Sequence, residues 1–169
     1  MLCNNSEKAK AINAIRWRFI EHEKLAAPQR VLDYGSGAGF FKAFAPETVE
    51  VDTYDIAEAR ITTGIRHRAY KVVTMWDVLE HITPNQLDHL IEMAINAAEY
   101  VAVSVPILPS GQNLFTWKHY KLEEHVNLFT EESLSDIFND WGFELVKSGY
   151  PECACGIRQD IYSAMYKRK

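Results

Sequence analysis

Apolar side chains recur at Ile12, Ile15, Phe19 and Ile20 among charged neighbours. That three-to-four spacing marks one face of a helix. A helix is therefore predicted from Ser6 to about Ala26 within an N-terminal segment 1–28, with Pro28 just past its end. The run Arg30-Val31-Leu32-Asp33-Tyr34 follows and breaks abruptly at Gly35-Ser36-Gly37-Ala38-Gly39. Phe40 to Ala45 reads as a short helix stopped before Pro46. Val49 to Ile56 alternates and is β-branched, so a strand is expected there, and Lys71 to Trp76 reads as a strand buried on both faces. Thr83-Pro84-Asn85-Gln86 is a helix start, with a capping Thr, Pro at the first helical position and Gln closing a capping box. Leu87, Leu90, Ile91, Ala94 and Ile95 then mark its buried face. Tyr100 to Val105 is a further strand. Thr130-Glu131-Glu132 opens a helix carrying Leu134, Ile137, Phe138 and Trp141 and ended by Gly142. Phe143 to Lys147 and Asp160 to Tyr166 form a final strand pair. Strands alternating with helices predict an α/β fold, a mostly parallel Rossmann-like sheet closed by an antiparallel hairpin.

Length and charge narrow the picture. The 169 residues suit one domain, 1–169, and 47% apolar with 24% charged residues is a globular composition. The net charge of −5 disfavours nucleic acid as a partner, since phosphate binding normally rests on a basic balance. No apolar run approaches the ~20 residues that span a bilayer. The N-terminus has no basic-then-apolar leader, so a cytoplasmic protein is expected.

The glycine-rich turn lies where such sheets bind ligands, beyond the carboxyl end of the first strand. Glycine allows positive φ and lets a ligand approach the main chain. About twenty residues beyond Gly35, Asp55 ends the second strand, where a carboxylate can accept both hydroxyls of a ribose. A dinucleotide fingerprint would want glycine where Phe40 stands, which weakens an NAD-dependent oxidoreductase reading. The turn is instead preceded by Asp33, which would repel a pyrophosphate and suits a ligand carrying an amino group. That favours S-adenosylmethionine.

These residues resemble the class I S-adenosylmethionine-dependent methyltransferases, in their small stand-alone branch. Val31-Leu32-Asp33-Tyr34-Gly35-Ser36-Gly37-Ala38-Gly39 is similar to the family's first motif, Tyr54-Asp55-Ile56 to its ribose-binding strand end, and Val72 to His81 to its fourth motif. The resemblance implies that Asp33, Tyr34, Gly35, Ser36, Gly37 and Gly39 hold the methionine part of the cofactor. It implies Asp55 at the ribose, Ile56 against the adenine, and Trp76 and Asp77 at the sulfonium end. One departure stands out. Only fourteen residues separate Asp55 from Tyr70, where a helix, a strand and two connections need roughly thirty. The edge strand after Asp55 is expected to be missing, leaving a loop with at most one helical turn. Arg60, Arg66, His67 and Arg68 within it are expected to form a solvated rim.

Methyl transfer from a sulfonium needs a nucleophile held close to the methyl group in a water-poor site, and often a base. His125 and His119 are the candidate bases, with His81, Trp117 and Tyr120 facing the substrate on or near the segment 106–129, which resembles a loop over the family's substrate pocket. For each, capping or plain packing is the competing explanation. His89, on the helix after Thr83, is expected at the surface. Cys153-Ala154-Cys155 lacks a second pair or a nearby His, so no metal is expected there. The expected function is methyl transfer to a small-molecule acceptor. The alternative is a methyltransferase-like binding or scaffold protein with weak catalysis. With so little chain left over for a lid, the pocket is expected to be shallow or completed by a second copy in a homodimer.

Overall fold

The structure is a computed structural model that describes residues 5–21, 30–55, 69–154 and 156–169. Helix α1 runs Asn5–Ile20, strand β1 Arg30–Tyr34, helix α2 Phe40–Ala43, strand β2 Glu50–Tyr54 and strand β3 Tyr70–Trp76. After a 3-10 turn at Leu79–His81 come helix α3 Pro84–Ala97 and strand β4 Ala98–Pro106. Helix α4 Glu131–Asp140, strand β5 Phe143–Gly149, the single turn α5 Pro151–Ala154 and strand β6 Ile161–Arg168 complete the order. α1 ends at Ile20, and residues 22–29, on which the rest of the helix expected to Ala26 falls, lie outside the described residues.

The strands form one six-stranded sheet in the order β2-β1-β3-β4-β6-β5. β2, β1, β3 and β4 run parallel, while β6 is antiparallel to both β4 and β5. This is the expected Rossmann-like sheet with its terminal hairpin. Among the described residues β2 is the outermost strand on its side. The expectation of a loop, with Ile56 and the basic residues 60–68, falls on residues 56–68 and lies outside the described residues. No helix among the described residues is long and apolar enough to cross a membrane.

Alternation along the strands builds two cores. Leu32, Val73, Met75, Val101 and Val103 point to the face covered by α3 and α4. Their neighbours Val31, Val72, Trp76, Tyr100 and Ala102 point to the other face, covered by α1 and α2. β3 is buried at six of its seven positions, as a central parallel strand must be. Trp17 of α1 stacks on Phe41 of α2 at 4.2 Å, and its Nε1 donates to the Phe41 carbonyl at 3.1 Å. The cap read at Thr83 forms, its main chain donating to Gln86 Oε1 at 3.2 Å, and Thr130 caps α4 as well, Ser133 N donating to its Oγ1 at 3.0 Å. Leu87, Leu90, Ile91 and Ala94 are buried on α3; the Ile95 side chain is outside the described residues.

Strand order reverses at β1, so the carboxyl ends of β1 and β3 open a crevice. The glycine turn enters it pinned to β2, with Gly35 N and Ser36 N both donating to the Tyr54 carbonyl, at 2.7 and 3.1 Å. Gly35 has φ +76°, and a Cβ there would sit 2.4 Å from Cγ2 of Val78. Val78 is β-branched and nearly buried, so it has little freedom to yield. Gly35→Ala is expected to cost about 1–3 kcal/mol of stability through this overpacking, measured by chemical denaturation.

Candidate active site

Three cavities meet at Asp77, the residue that follows β3. Asp77 holds φ +58°, a strained conformation for a residue with a side chain. It stays there because its N–H donates to Ser104 of β4, and because two arginines grip its carboxylate. Arg16 Nη2 reaches Asp77 Oδ2 at 2.6 Å and Arg158 Nη1 reaches the same oxygen at 2.7 Å. The same guanidiniums bind Glu152, fully buried on α5, at 2.8 and 3.0 Å. These contacts hold the Asp77 carboxyl below the usual carboxylate range despite burial. For Arg158, burial works against the charge, but Asp77 and Glu152 outweigh it and raise the pKa. The four charges tie α1 to the end of β3 and to the loop before β6.

The first cavity, about 730 Å³, lies between the tip of β2 and α3 and is lined by Tyr34, Gly35, Tyr54, Asp55, His89 and Met93 among others. Tyr34 and Tyr54 pack ring on ring at 4.6 Å as its floor. Asp55 stands at its mouth, Oδ2 accepting from Gly37 N at 2.7 Å, so the two features singled out in the sequence are in direct contact. His89 is exposed, as expected, but also borders this cavity.

The second cavity, about 350 Å³, is enclosed by α1, the glycine turn and the end of β3; Asn13, Arg16, Asp33, Ser36, Trp76 and Asp77 line it. Four buried polar atoms on this lining have no hydrogen-bond partner: Asn13 Oδ1, Asp33 Oδ2, Trp76 Nε1 and Asp77 Oδ1. Unpaired buried polar atoms are costly, and three acceptors with one donor around one space describe a receptor for a cationic, donor-rich group. Asp33 is 2% exposed, and its other oxygen accepts from Thr74 Oγ1 at 3.0 Å. Burial pushes its pKa up to about 6, against the opposing pull of Thr74 and Arg16.

The third cavity, about 510 Å³, lies on the other side of Asp77, lined by Glu80, His81, His119, Glu124, His125 and Arg158 among others. Here the segment 106–129 meets the turn after β3. His125 and His119 lie 6.5 Å apart ring to ring, and His81 meets His125 edge to face at 4.7 Å. Burial lowers the pKa of both His119 and His125, which keeps them neutral and able to accept a proton at pH 7. His119 Nε2 lies 3.0 Å from the Gln159 carbonyl, and His81 Nδ1 lies 2.7 Å from that of Glu124. Each carbonyl can only accept, so each of these nitrogens carries the proton.

The sequence reading and the structure part at several residues. Trp117 and Tyr120 border none of the three cavities. Trp117 is 3% exposed and donates from Nε1 to Asp160 at 3.0 Å, anchoring its loop to the sheet. Tyr120 packs edge-on against Phe115 at 5.6 Å. Gly37 and Gly39 border none of the cavities either; they shape the turn with φ +49° and +74°. Cys153 sits beside the Ile161 main chain, and Cys155 is outside the described residues. Arg16, Glu80, Glu152 and Arg158 went unread, because nothing in their local pattern separates them from surface charges. Asn127 also went unread. Its side chain donates to the Leu79 and Ile82 carbonyls, and Val126 N donates to the Glu80 carbonyl at 2.8 Å. Together they clamp the histidine loop onto the turn after β3.

The model of a family described as "Methyltransferase domain" matches residues 7–148. No curated protein matches the chain. Among solved structures, a SAM-dependent methyltransferase from Archaeoglobus fulgidus is similar at 17% identity and TM-score 0.70, over 95% of this chain and 94% of that one. Magnesium protoporphyrin IX methyltransferase from Synechocystis PCC 6803, with bound SAH, is similar at 14% identity and TM-score 0.67, over 100% and 90% of the two chains. A Burkholderia thailandensis 1,6-didemethyltoxoflavin-N1-methyltransferase, with its substrate and S-adenosylhomocysteine, is similar at 17% identity and TM-score 0.67, over 98% and 79%. At these identities the likeness is one of fold.

Proposed function

This chain belongs to the methyltransferase-domain family, and from that premise we propose that it is an S-adenosylmethionine-dependent methyltransferase acting on a small-molecule acceptor. The observation that carries the cofactor assignment is a cavity lined by the unpartnered Asp33 Oδ2 and Asp77 Oδ1, at the carboxyl ends of β1 and β3, and by the unpartnered Asn13 Oδ1 of α1. The amino group of the cofactor's methionine part is a cation with three donors, which suits three buried acceptors. Arg16 and Arg158 border the same space and offer guanidinium donors to its carboxylate. Asp55, at the mouth of the larger cavity, accepts hydroxyl donors from a ribose, and Tyr34, Tyr54 and Met93 supply apolar wall for a base. When bound, S-adenosylmethionine supplies an electrophilic methyl group on a sulfonium.

The chain's own residues do the rest. Asp77, gripped by two arginines, fixes the partition between the cofactor cavities and the histidine cavity. Neutral His125 and His119 can take a proton from an acceptor oxygen or nitrogen in that third cavity. Its volume of about 510 Å³, under a loop held by Trp117 and Asn127, suits a metabolite-sized acceptor. The toxoflavin and porphyrin enzymes of this fold act on small molecules by name, which supports the same class here.

Calorimetric titration with S-adenosylmethionine tests this reading. Saturable binding is expected. Asp55→Ala is expected to weaken it by about 1–3 kcal/mol, the worth of charge-assisted hydrogen bonds. Absence of heat with the wild-type chain would leave a scaffold protein as the better reading.

A further inference from the structure

We propose that Glu80, His81 and His125 form a binding site for one divalent, zinc-class metal ion in the histidine cavity. One ligand atom from each lies within 4.8 Å of the others. Two imidazoles and one carboxylate are a donor set typical of zinc sites that keep an open coordination position. Metal–ligand bonds of about 2.0–2.2 Å set ligand atoms roughly 3.3–3.5 Å apart. Closing the set therefore takes small side-chain rotations.

Three features favour a cation there. Glu80 is 2% exposed, yet its Oε2 has no hydrogen-bond partner. The buried Nδ1 of His125 has none either. Two buried polar atoms on the lining of one cavity, neither with a hydrogen-bond partner, are costly as they stand, and a bound cation would satisfy both. The third imidazole is already oriented, because His81 donates from Nδ1 to the Glu124 carbonyl and keeps its Nε2 lone pair for a metal. Two of the positive side chains bordering this cavity are already paired with acids, Lys121 with Glu124 at 2.6 Å and Arg158 with Asp77 and Glu152; Lys8 and Lys118 border it as well, Lys118 donating to the neutral Gln159. The sequence expectation of no metal was argued from Cys153 and Cys155 alone; this set joins residues 45 positions apart through the Asn127 clamp.

The site also narrows the acceptor, and this step rests on the methyltransferase reading. A three-ligand ion leaves positions for an oxygen of the acceptor, and it favours the ionised form of a hydroxyl bound there. The expected acceptor class is therefore a phenol, enol or similar hydroxyl compound. With the ion bound, the lone pair of His125 is spent on the metal, so the O–H proton passes to His119, which lines the same cavity. The oxygen then forms the new C–O bond as the methyl carbon's bond to sulfur breaks, and sulfur keeps the electron pair as a neutral thioether.

The test uses the full, untagged chain stripped with a chelator. It is titrated with Zn²⁺ by calorimetry and with Co²⁺ by visible absorption, while S-adenosylmethionine binding is measured separately. One ion per chain is expected, with Co²⁺ bands of a nitrogen–oxygen site. His81→Gln, at an exposed position that leaves the fold intact, and Glu80→Gln should each weaken uptake by at least about 100-fold. Cys153→Ser should bind the ion as wild type does. Failure of the wild-type chain to take up either ion, or uptake that survives His81→Gln and Glu80→Gln, overturns the site. Metal uptake without S-adenosylmethionine binding would instead sink the methyltransferase reading and leave the metal site standing.

Discussion

Glu152→Ala is expected to lower the unfolding free energy by about 3–5 kcal/mol, the usual cost of removing one partner from a buried ion pair. Glu152 is fully buried and accepts from Arg16 Nε and Arg158 Nη1. Without it, two guanidiniums share the single carboxylate of Asp77, and an uncompensated positive charge stays inside. Domain stabilities are typically about 5–15 kcal/mol, so such a loss is a large share of the whole. Glu152→Gln keeps the volume and one acceptor oxygen and should fall between the variant and wild type. Because Arg16 fixes α1 over the second cavity, Glu152→Ala should also weaken cofactor binding at temperatures where the fold survives. Urea denaturation gives the first number and calorimetry the second. A loss below about 1 kcal/mol would mean the four charges are solvated and do not hold α1 in place.

Asp33→Asn should have the largest effect on the cofactor, a loss of about 2–5 kcal/mol in binding, as for other truncations of a desolvated charge pair. The substitution is nearly isosteric, and an Asn carbonyl can still accept from Thr74, so the fold is expected to survive. The pH dependence separates charge from shape. Burial raises the Asp33 pKa from 3.8 to about 6, so below that pH the unliganded protein holds a proton there. A cationic amino group binds the ionised form. Wild-type affinity should therefore be level between pH 7 and 8 and decline below about pH 6, by up to tenfold per unit, while Asp33→Asn should lack this decline. Stability runs the other way. With the folded pKa above the unfolded one, Asp33 favours the unliganded fold most below about pH 4, and that contribution is lost as pH rises through about 6. Asp33→Asn should thus stabilise the unliganded chain at neutral pH. A pH-independent wild-type affinity would remove Asp33 from the ligand's amino group.

The cofactor side was readable because its chemistry is written in consecutive residues. Asp33 and the glycines after it share one strand-to-turn passage, and the register of β1 with β2 places Tyr34 beside Tyr54, so Asp55 meets the turn by strand pairing alone. The substrate side was read less well. His81, His119 and His125 were each picked out, but Trp117 was expected in a pocket wall and proves to be an anchor, since an aromatic in a loop reads the same in either role.

From the sequence alone came the α/β order, the capped helix after Thr83, the glycine turn with Asp33 before it, and Asp55 at the end of the next strand, all consequences of order and spacing along neighbouring elements. The fold alone decided the Arg16–Asp77–Arg158–Glu152 latch and the meeting of Glu80 with His125. Apart from Arg158 and Glu152, six positions apart, those partners lie 45 to 136 positions apart, and nothing in a local pattern of charge tells a solvated side chain from one that packing will strip of water and press against its opposite.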